Sequence, residues 1–308
     1  MFFTGQIVSF NFLIQLFRKN YIRPGCGMNV IIKTTNENKW WIFLFFALLI
    51  GVILRLAYPG DIEYKFDEKT FFDASQKVGV TEPWPIIGPT TGVGGKAFGM
   101  SVWIFPILSR ITHASTPPEL ARSVQLLNIL GLFLLAFFSF YLLPQPERMS
   151  WRWATVFAAV NPMAILFQRK IWNPSTLPLF CILMWIAWYY RHKRIGAFFW
   201  GLIGICLGQI QMAGFFLAGG VFLWTAIHDR KVRWGSWLAG SLIGGVPIIF
   251  WLQYMLANPS SGFNTINFWW ILCPTYWFYW VGDALGVALK YTFNTQHFID
   301  FLGYPMIG

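Results

Sequence analysis

Residues 195–227 contain thirty-three amino acids and no charged side chain. A soluble fold of this size must still present a polar surface to water. Lipid removes that demand, because it solvates the outside of an apolar helix whose backbone is satisfied internally. A spanning helix needs about 20 apolar residues, so this run is too long for one. Gly208, Gln209, Gln211 and Gly214 interrupt it, which predicts two spans and a tight turn. The same apolar texture recurs at residues 40–58, opened by the tandem Trp40-Trp41, and at 120–143, 153–167, 176–190 and 236–256. Residues 100–111 are apolar but short, suited to a surface segment or an extension of the next element. Residues 268–289 read as an eighth span or as an interfacial helix, because Asp283 sits inside the run. The expected fold is all-α: a polytopic bundle of about seven or eight transmembrane helices, with a long first outward loop carrying short surface helices. Only 11% of residues are charged, against about a quarter in soluble domains.

The net charge is +11, yet the basic residues form no continuous face for nucleic acid. They fall between the apolar runs: Arg18, Lys19, Arg23, Lys33 and Lys39 before the first span, Arg148 and Arg152 after the second, Arg191, Lys193 and Arg194 after the fourth, and Arg230, Lys231 and Arg233 after the sixth. All land on one side of a membrane, which the positive-inside bias makes cytoplasmic. The reading is therefore a multi-pass cell-membrane protein with residues 1–39 as a cytoplasmic N-terminal segment and 40–308 as one membrane domain. The loop 59–99, the turn 168–175 and the stretch 258–267 then face outward. Residues 1–27 place charge after their apolar stretch, unlike a signal peptide, and Met28 is an alternative start. Cys26, Cys181, Cys206 and Cys273 show no metal-ligand spacing. His113, His192, His228 and His297 are scattered.

Half of the twelve carboxylates lie in the first outward loop: Asp61, Glu63, Asp67, Glu68, Asp73 and Glu82. Solvation of an exposed loop accounts for some of that clustering, and loops also carry function disproportionately. The neighbours Asp67 and Glu68, followed by Phe71, Phe72 and Ala74, suggest a short helix on the membrane surface. Such carboxylates suit general-base work or a divalent cation. Gln168-Arg169-Lys170-Ile171-Trp172-Asn173 sets two cations on the outer side, against the topological bias. They read as headgroup contacts, with Trp172 as an anchor, or as a phosphate site; the cost to topology favours the phosphate site. Arg55, in the last turn of the first span, either snorkels to headgroups or faces loop acids or a lipid phosphate. The glycine-rich residues 88–99, including Lys96, lack the Gly-Lys-Ser/Thr ending of a P-loop, and their glycines suit close backbone packing.

Together these residues resemble the GT-C superfamily of polytopic glycosyltransferases, in the branch of the protein O-mannosyltransferases and lipid A aminoarabinose transferases. Arg55, Asp67-Glu68 with its surface helix, Gly99 and Asn161-Pro162 followed by Arg169-Lys170-Ile171-Trp172-Asn173-Pro174-Ser175 carry the resemblance over residues 40–255. It implies transfer of a sugar from a polyprenyl-phosphate donor to a glycan, lipid or protein acceptor outside the membrane, with inversion. Asp67 would be the general base, with Glu68 supporting it or a metal. Arg55, Arg169 and Lys170 would hold the donor phosphate. Gln168, Trp172, Asn173, Gln211 and Lys96 would be further substrate contacts. A divalent cation serves some members and not others, and the sequence does not decide it. Gln209-Ile210-Gln211 stands where relatives often carry a His, and relatives are usually longer. A lipid-linked sugar flippase and an inactive, truncated partner of a larger transferase are the alternatives; a flippase would put charges at mid-membrane.

Overall fold

The computed structural model describes residues 37–58, 60, 62–91 and 95–258. Most of the expected N-terminal segment, Asp61 and the helix expected over 268–289 lie outside the described residues. The described chain is mostly helical, as expected. Its elements are α1 (Glu37–Leu56), α2 (Phe66–Lys77), β1 (Ile87–Thr90), β2 (Lys96–Phe98), α3 (Met100–Thr112), α4 (Pro117–Phe137), a π-helical turn (Phe138–Leu142), α5 (Gln145–Val160), α6 (Pro162–Phe167), α7 (Asn173–Tyr189), α8 (Arg194–Ile210), α9 (Ala213–His228) and α10 (Trp234–Ala257). They form two compact units. Among the described residues, one holds the chain up to Arg55 and Ser139–Phe167, and the other holds Leu56–Phe138 and the chain from Gln168.

In the first unit α1 packs on α5. Gly51 makes this possible: a Cβ there would meet the Ala159 carbonyl oxygen at 2.6 Å. Trp40 and Phe43 stack edge-on against Trp153, with centroids 5.0 and 5.7 Å away. The single span expected over 153–167 is instead two helices. Pro162 drives the residue before it out of the α region, and Asn161 accordingly sits at ψ 118. Its Oδ1 then accepts the Ala164 N–H at 2.9 Å and starts α6.

In the second unit α4 and α7 run parallel. Asn128 Nδ2 donates to the Ser175 carbonyl at 2.8 Å, Gly131 faces Leu179 and Ile182, and Phe138 meets Tyr189 at 5.4 Å. The expected break in residues 195–227 falls between Ile210 and Ala213. α8 then packs on α9 and α10. Gly201 lies against the Trp237 backbone, where a Cβ has no room. The turns after α7 and α9 meet at one end, through Arg191 and Asp229. Asn173 and Ile210 meet at the other. The basic turns after α7 and α9 therefore share an end within this unit.

Two helices among the described residues are long and apolar enough to cross a membrane, Pro117–Leu142 and Trp234–Ala257. The other apolar helices are shorter: α8 ends at the Gln209–Gln211 break, and α7 and α9 end at the charged turns after Tyr190 and His228. Within the stretch 59–99, expected as an outward loop, β1 and β2 form an antiparallel pair with Ile87 opposite Phe98 and Thr90 opposite Lys96. Gly99 lets this hairpin close, since any side chain there would strike the Pro85 carbonyl. The glycine serves the chain's own packing.

Replacing Gly201 with Leu forces α8 from α10 and should cost about 1–3 kcal/mol. Gly220→Ala, at a position with no atom within 4 Å, should be neutral or slightly stabilising. Melting temperatures of the purified variants in detergent test this, and equal melting of the two would refute the close approach.

Candidate functional site

The acidic helix α2 exists because Phe71 and Ser75 bury the same face as Glu68. Glu68 is the third residue of that helix, and its Oε2 accepts the Lys65 backbone N–H at 3.1 Å. It is buried, at 5% exposure, and its visible work is to cap the helix. Asp67 precedes it, is exposed, and makes no hydrogen bond or ion pair with the described residues. A carboxylate in the first turn is favoured by the helix dipole. The structure thus separates the two acids: one positions the helix and one is open to solvent.

The 168–173 block comes to the same helix through an apolar cluster. Ile171 is fully buried in a cluster with Phe71, Val102, Phe105, Leu120 and Val124, and Trp172 packs on its edge. Phe71 and Phe105 have ring centroids 4.9 Å apart. Burying Ile171 fixes the direction of its neighbours. Lys170 forms an ion pair with Glu63, and Glu63 also pairs with Lys65 at 2.6 Å. Arg169 Nη2 donates to the Tyr58 carbonyl at 2.9 Å. Tyr58 itself is left-handed, at φ 53, a conformation that costs a non-glycine residue energy and often marks a functional turn.

Asn173 Nδ2 donates to the Ile210 carbonyl at 3.1 Å and to Gln211 Oε1 at 2.8 Å. These bonds join the block to the turn between α8 and α9. Gln168 is buried beside it in sequence. Lys96 lies on β2, where its Nζ donates to Thr90 Oγ1 at 2.7 Å. Its carbonyl accepts the Trp251 indole N–H at 3.0 Å. Phe98 meets Phe215 of α9 edge to face, with centroids 5.8 Å apart, so the hairpin sits beside the helix that follows Gln211. Asp67, Glu68, Lys96, Gln168, Arg169, Lys170, Trp172, Asn173 and Gln211 thus all belong to the second unit.

Arg55 belongs to the first unit. Its guanidinium is fully buried and donates to the carbonyls of Gly51 at 2.9 Å, Ala159 at 2.7 Å and Ala158 at 3.0 Å. Buried guanidinium donors need such acceptors. Its visible role is to join α1 to α5.

Glu63 is the residue that sequence reasoning passed over. It was one of six loop acids, and nothing local marks a partner 107 positions away. Burial acts to raise its pKa, but hydrogen bonds from Lys170 and Lys65, and their charges, outweigh that and hold it below the usual carboxylate range. Lys65 is raised above the usual lysine value, first by its hydrogen bond to Glu63. Among the described residues no three His, Cys, Asp or Glu side chains gather as a metal site, and Glu68 gives an oxygen to the backbone. The described donors do not fit a divalent cation.

The arrangement offers an exposed carboxylate, two cations, and amides on an adjoining turn. It can accept a proton, bind an anion and hydrogen-bond hydroxyl groups.

A depressed carboxyl contributes stability above its unfolded pKa and loses it as pH falls through the lower folded value. Below about pH 4, wild type should therefore lose melting temperature more steeply than Glu63→Gln; parallel acid limbs would dismiss the pairing. Asn173→Ala leaves a buried carbonyl without its donor and should cost about 1–3 kcal/mol, read from a denaturation midpoint.

No family model, curated protein or solved structure matches the chain.

Proposed function

We propose that this chain is a polytopic membrane glycosyltransferase of the GT-C kind, with about seven or eight helices embedded in the cell membrane. The apolar helices α8 and α9 have 17 and 16 residues. At 1.5 Å per residue they run about 25 Å, close to the ~30 Å hydrocarbon core. Flanking Trp and Arg residues suit the remaining interface. The N-terminus is cytoplasmic and α2 faces outward.

One observation carries the reading. Asp67 and the Arg169-Lys170 turn, about a hundred positions apart in the chain, sit on one packed body whose shared core contains Phe71 and Ile171. In the proposed reaction a polyprenyl-phosphate sugar lies with its phosphate toward Arg169 and Lys170. Asp67 takes the proton from an acceptor hydroxyl. The hydroxyl oxygen forms a bond to the anomeric carbon from the face opposite the phosphate, and the bond from that carbon to the phosphate oxygen breaks. Polyprenyl phosphate departs with the electron pair, and the anomeric centre inverts. Arg169 and Lys170 stabilise the charge on the leaving phosphate. Glu68 positions Asp67 through the helix cap, and Asn173, Gln211, Gln168, Trp172 and Lys96 are assigned to sugar and acceptor contacts. Arg55 is left to the joint between α1 and α5. The acceptor is a glycan, lipid or protein of the cell envelope, protein glycosylation included, and no step passes through a cation.

A general base contributes about 10²–10⁴-fold. Asp67→Asn should therefore lower transfer by at least about a hundredfold, measured with purified protein in lipid and a panel of polyprenyl-phosphate sugars. Arg169→Gln should raise the donor KM. Full activity in both variants would remove the site, and transfer of lipid-linked sugar across the bilayer without a glycosidic bond would establish the flippase instead.

A further inference from the structure

The turns 190–193 and 229–233 lie at the end of the second unit opposite Asn173 and Gln211. With the adjoining Arg194 they carry Arg191, Lys193, Arg230, Lys231 and Arg233 against a single carboxylate, Asp229. That carboxylate is already engaged. Arg191 Nε and Nη2 donate to its Oδ2 at 2.8 and 2.7 Å, the Lys231 N–H donates to Oδ1 at 3.0 Å, and His192 lies 3.4 Å from Oδ2. Arg191 also covers the Trp188 ring and Lys193 the Tyr190 ring. Arg230, Lys231 and Arg233 are exposed, and their side chains make no hydrogen bond or ion pair with the described residues.

Arg230 lines an open surface concavity of about 290 Å³ together with Phe222, Ala226 and Trp234. Phe222 and Trp234 meet edge to face there, with ring centroids 5.7 Å apart. Phe222 and Ala226 lie one turn apart on α9, and Arg230, in the turn that follows, lines the same concavity. Next to them Leu223 and Ile227 are exposed at 59% and 73%, and on α10 Leu238 and Leu242 at 51% and 64%. A site for a small hydrated anion would surround it with donors. This one has a single guanidinium among apolar lining residues, with exposed apolar side chains of α9 and α10 beside it. Drug-sized pockets begin at about 300 Å³, so the concavity admits a headgroup and its first carbons, not a whole lipid.

We propose that the α9–α10 turn binds one phosphate-bearing anionic glycerophospholipid. Arg230 forks onto the phosphate, Lys231 and Arg233 add charge beside it, and the acyl chains lie on the exposed faces of α9 and α10. The proposal rests on the membrane placement given above and not on the transferase chemistry.

The test uses the full chain in mild detergent, titrated with dioctanoyl-phosphatidylglycerol, dioctanoyl-phosphatidylcholine or inorganic phosphate and followed by native mass spectrometry. The expected result is one phosphatidylglycerol bound about tenfold tighter than phosphatidylcholine. Arg230→Gln should lose that preference. Arg194→Gln, which removes an exposed cation at the same end, should keep it. Ala226→Trp, which fills the concavity at an exposed position, should lose binding while the helical circular dichroism stays unchanged. Equal binding of the two lipids, or equal losses in Arg230→Gln and Arg194→Gln, overturns the site in favour of diffuse surface charge. Occupancy by inorganic phosphate with the same dependence on Arg230 overturns it in favour of a small-anion site. Alkaline carbonate separates the two levels. A chain that stays with the membrane but shows no lipid preference removes only this inference, whereas a chain released from it removes the membrane reading as well.

Discussion

The candidate site depends on the burial of Ile171 beside Phe105. Full burial of an aliphatic or aromatic side chain contributes about 1.5–3 kcal/mol. The ion pair between Lys170 and Glu63, with side chains 23% and 31% exposed, belongs to a class worth about 0–1 kcal/mol. Apolar packing therefore holds the 168–172 turn against α2, α3 and α4, and the ion pair orients it. This division explains how a turn can keep Arg169 and Lys170 partly exposed while remaining fixed. It also explains why α2, a twelve-residue helix that would be marginal alone, is ordered.

A second device recurs at four helix joints among the described residues. Polar side chains donate to backbone carbonyls of a different helix: Arg55 to Ala159, Asn128 to Ser175, Asn173 to Ile210 and Gln209 to Gly244 at 2.6 Å. In an apolar solvent the hydrophobic effect does little to join two apolar helices, and close backbone approach with interhelical hydrogen bonding takes its place. Gly51 and Gly201 supply the close approach. The same residues in water would compete with solvent for these acceptors. The pattern is consistent with the membrane setting proposed for the chain.

Much of the helical layout was legible along the chain. The break in residues 195–227 followed from Gln209, Gln211 and their glycines, and the turns after Tyr190 and His228 followed from charge. Phe71 and Ala74 marked α2. Other features had no local signal. Glu63 looked like any other loop acid until Lys170 was seen to lie against it. Residues 87–98 are too glycine-rich to show a strand period, and the hairpin is held by Phe98 against Phe215 and Trp251. Asn161-Pro162 was read as part of a motif and not as a helix break, although the restriction before proline was there to be used.

By itself the sequence determined that the chain is helical, where most helices end, and which residues carry charge. Those properties are set by side-chain chemistry and by neighbours within four residues. Only the tertiary structure decided that Asp67 stays open while Glu68 is spent on a cap, that Lys170 answers to Glu63, and that Arg55 serves a helix joint in another unit. Each of these depends on which carbonyl, ring or carboxylate arrives from a distant part of the chain. That arrival is governed by packing volume and hydrogen-bond satisfaction in three dimensions, and no spacing along the sequence encodes it.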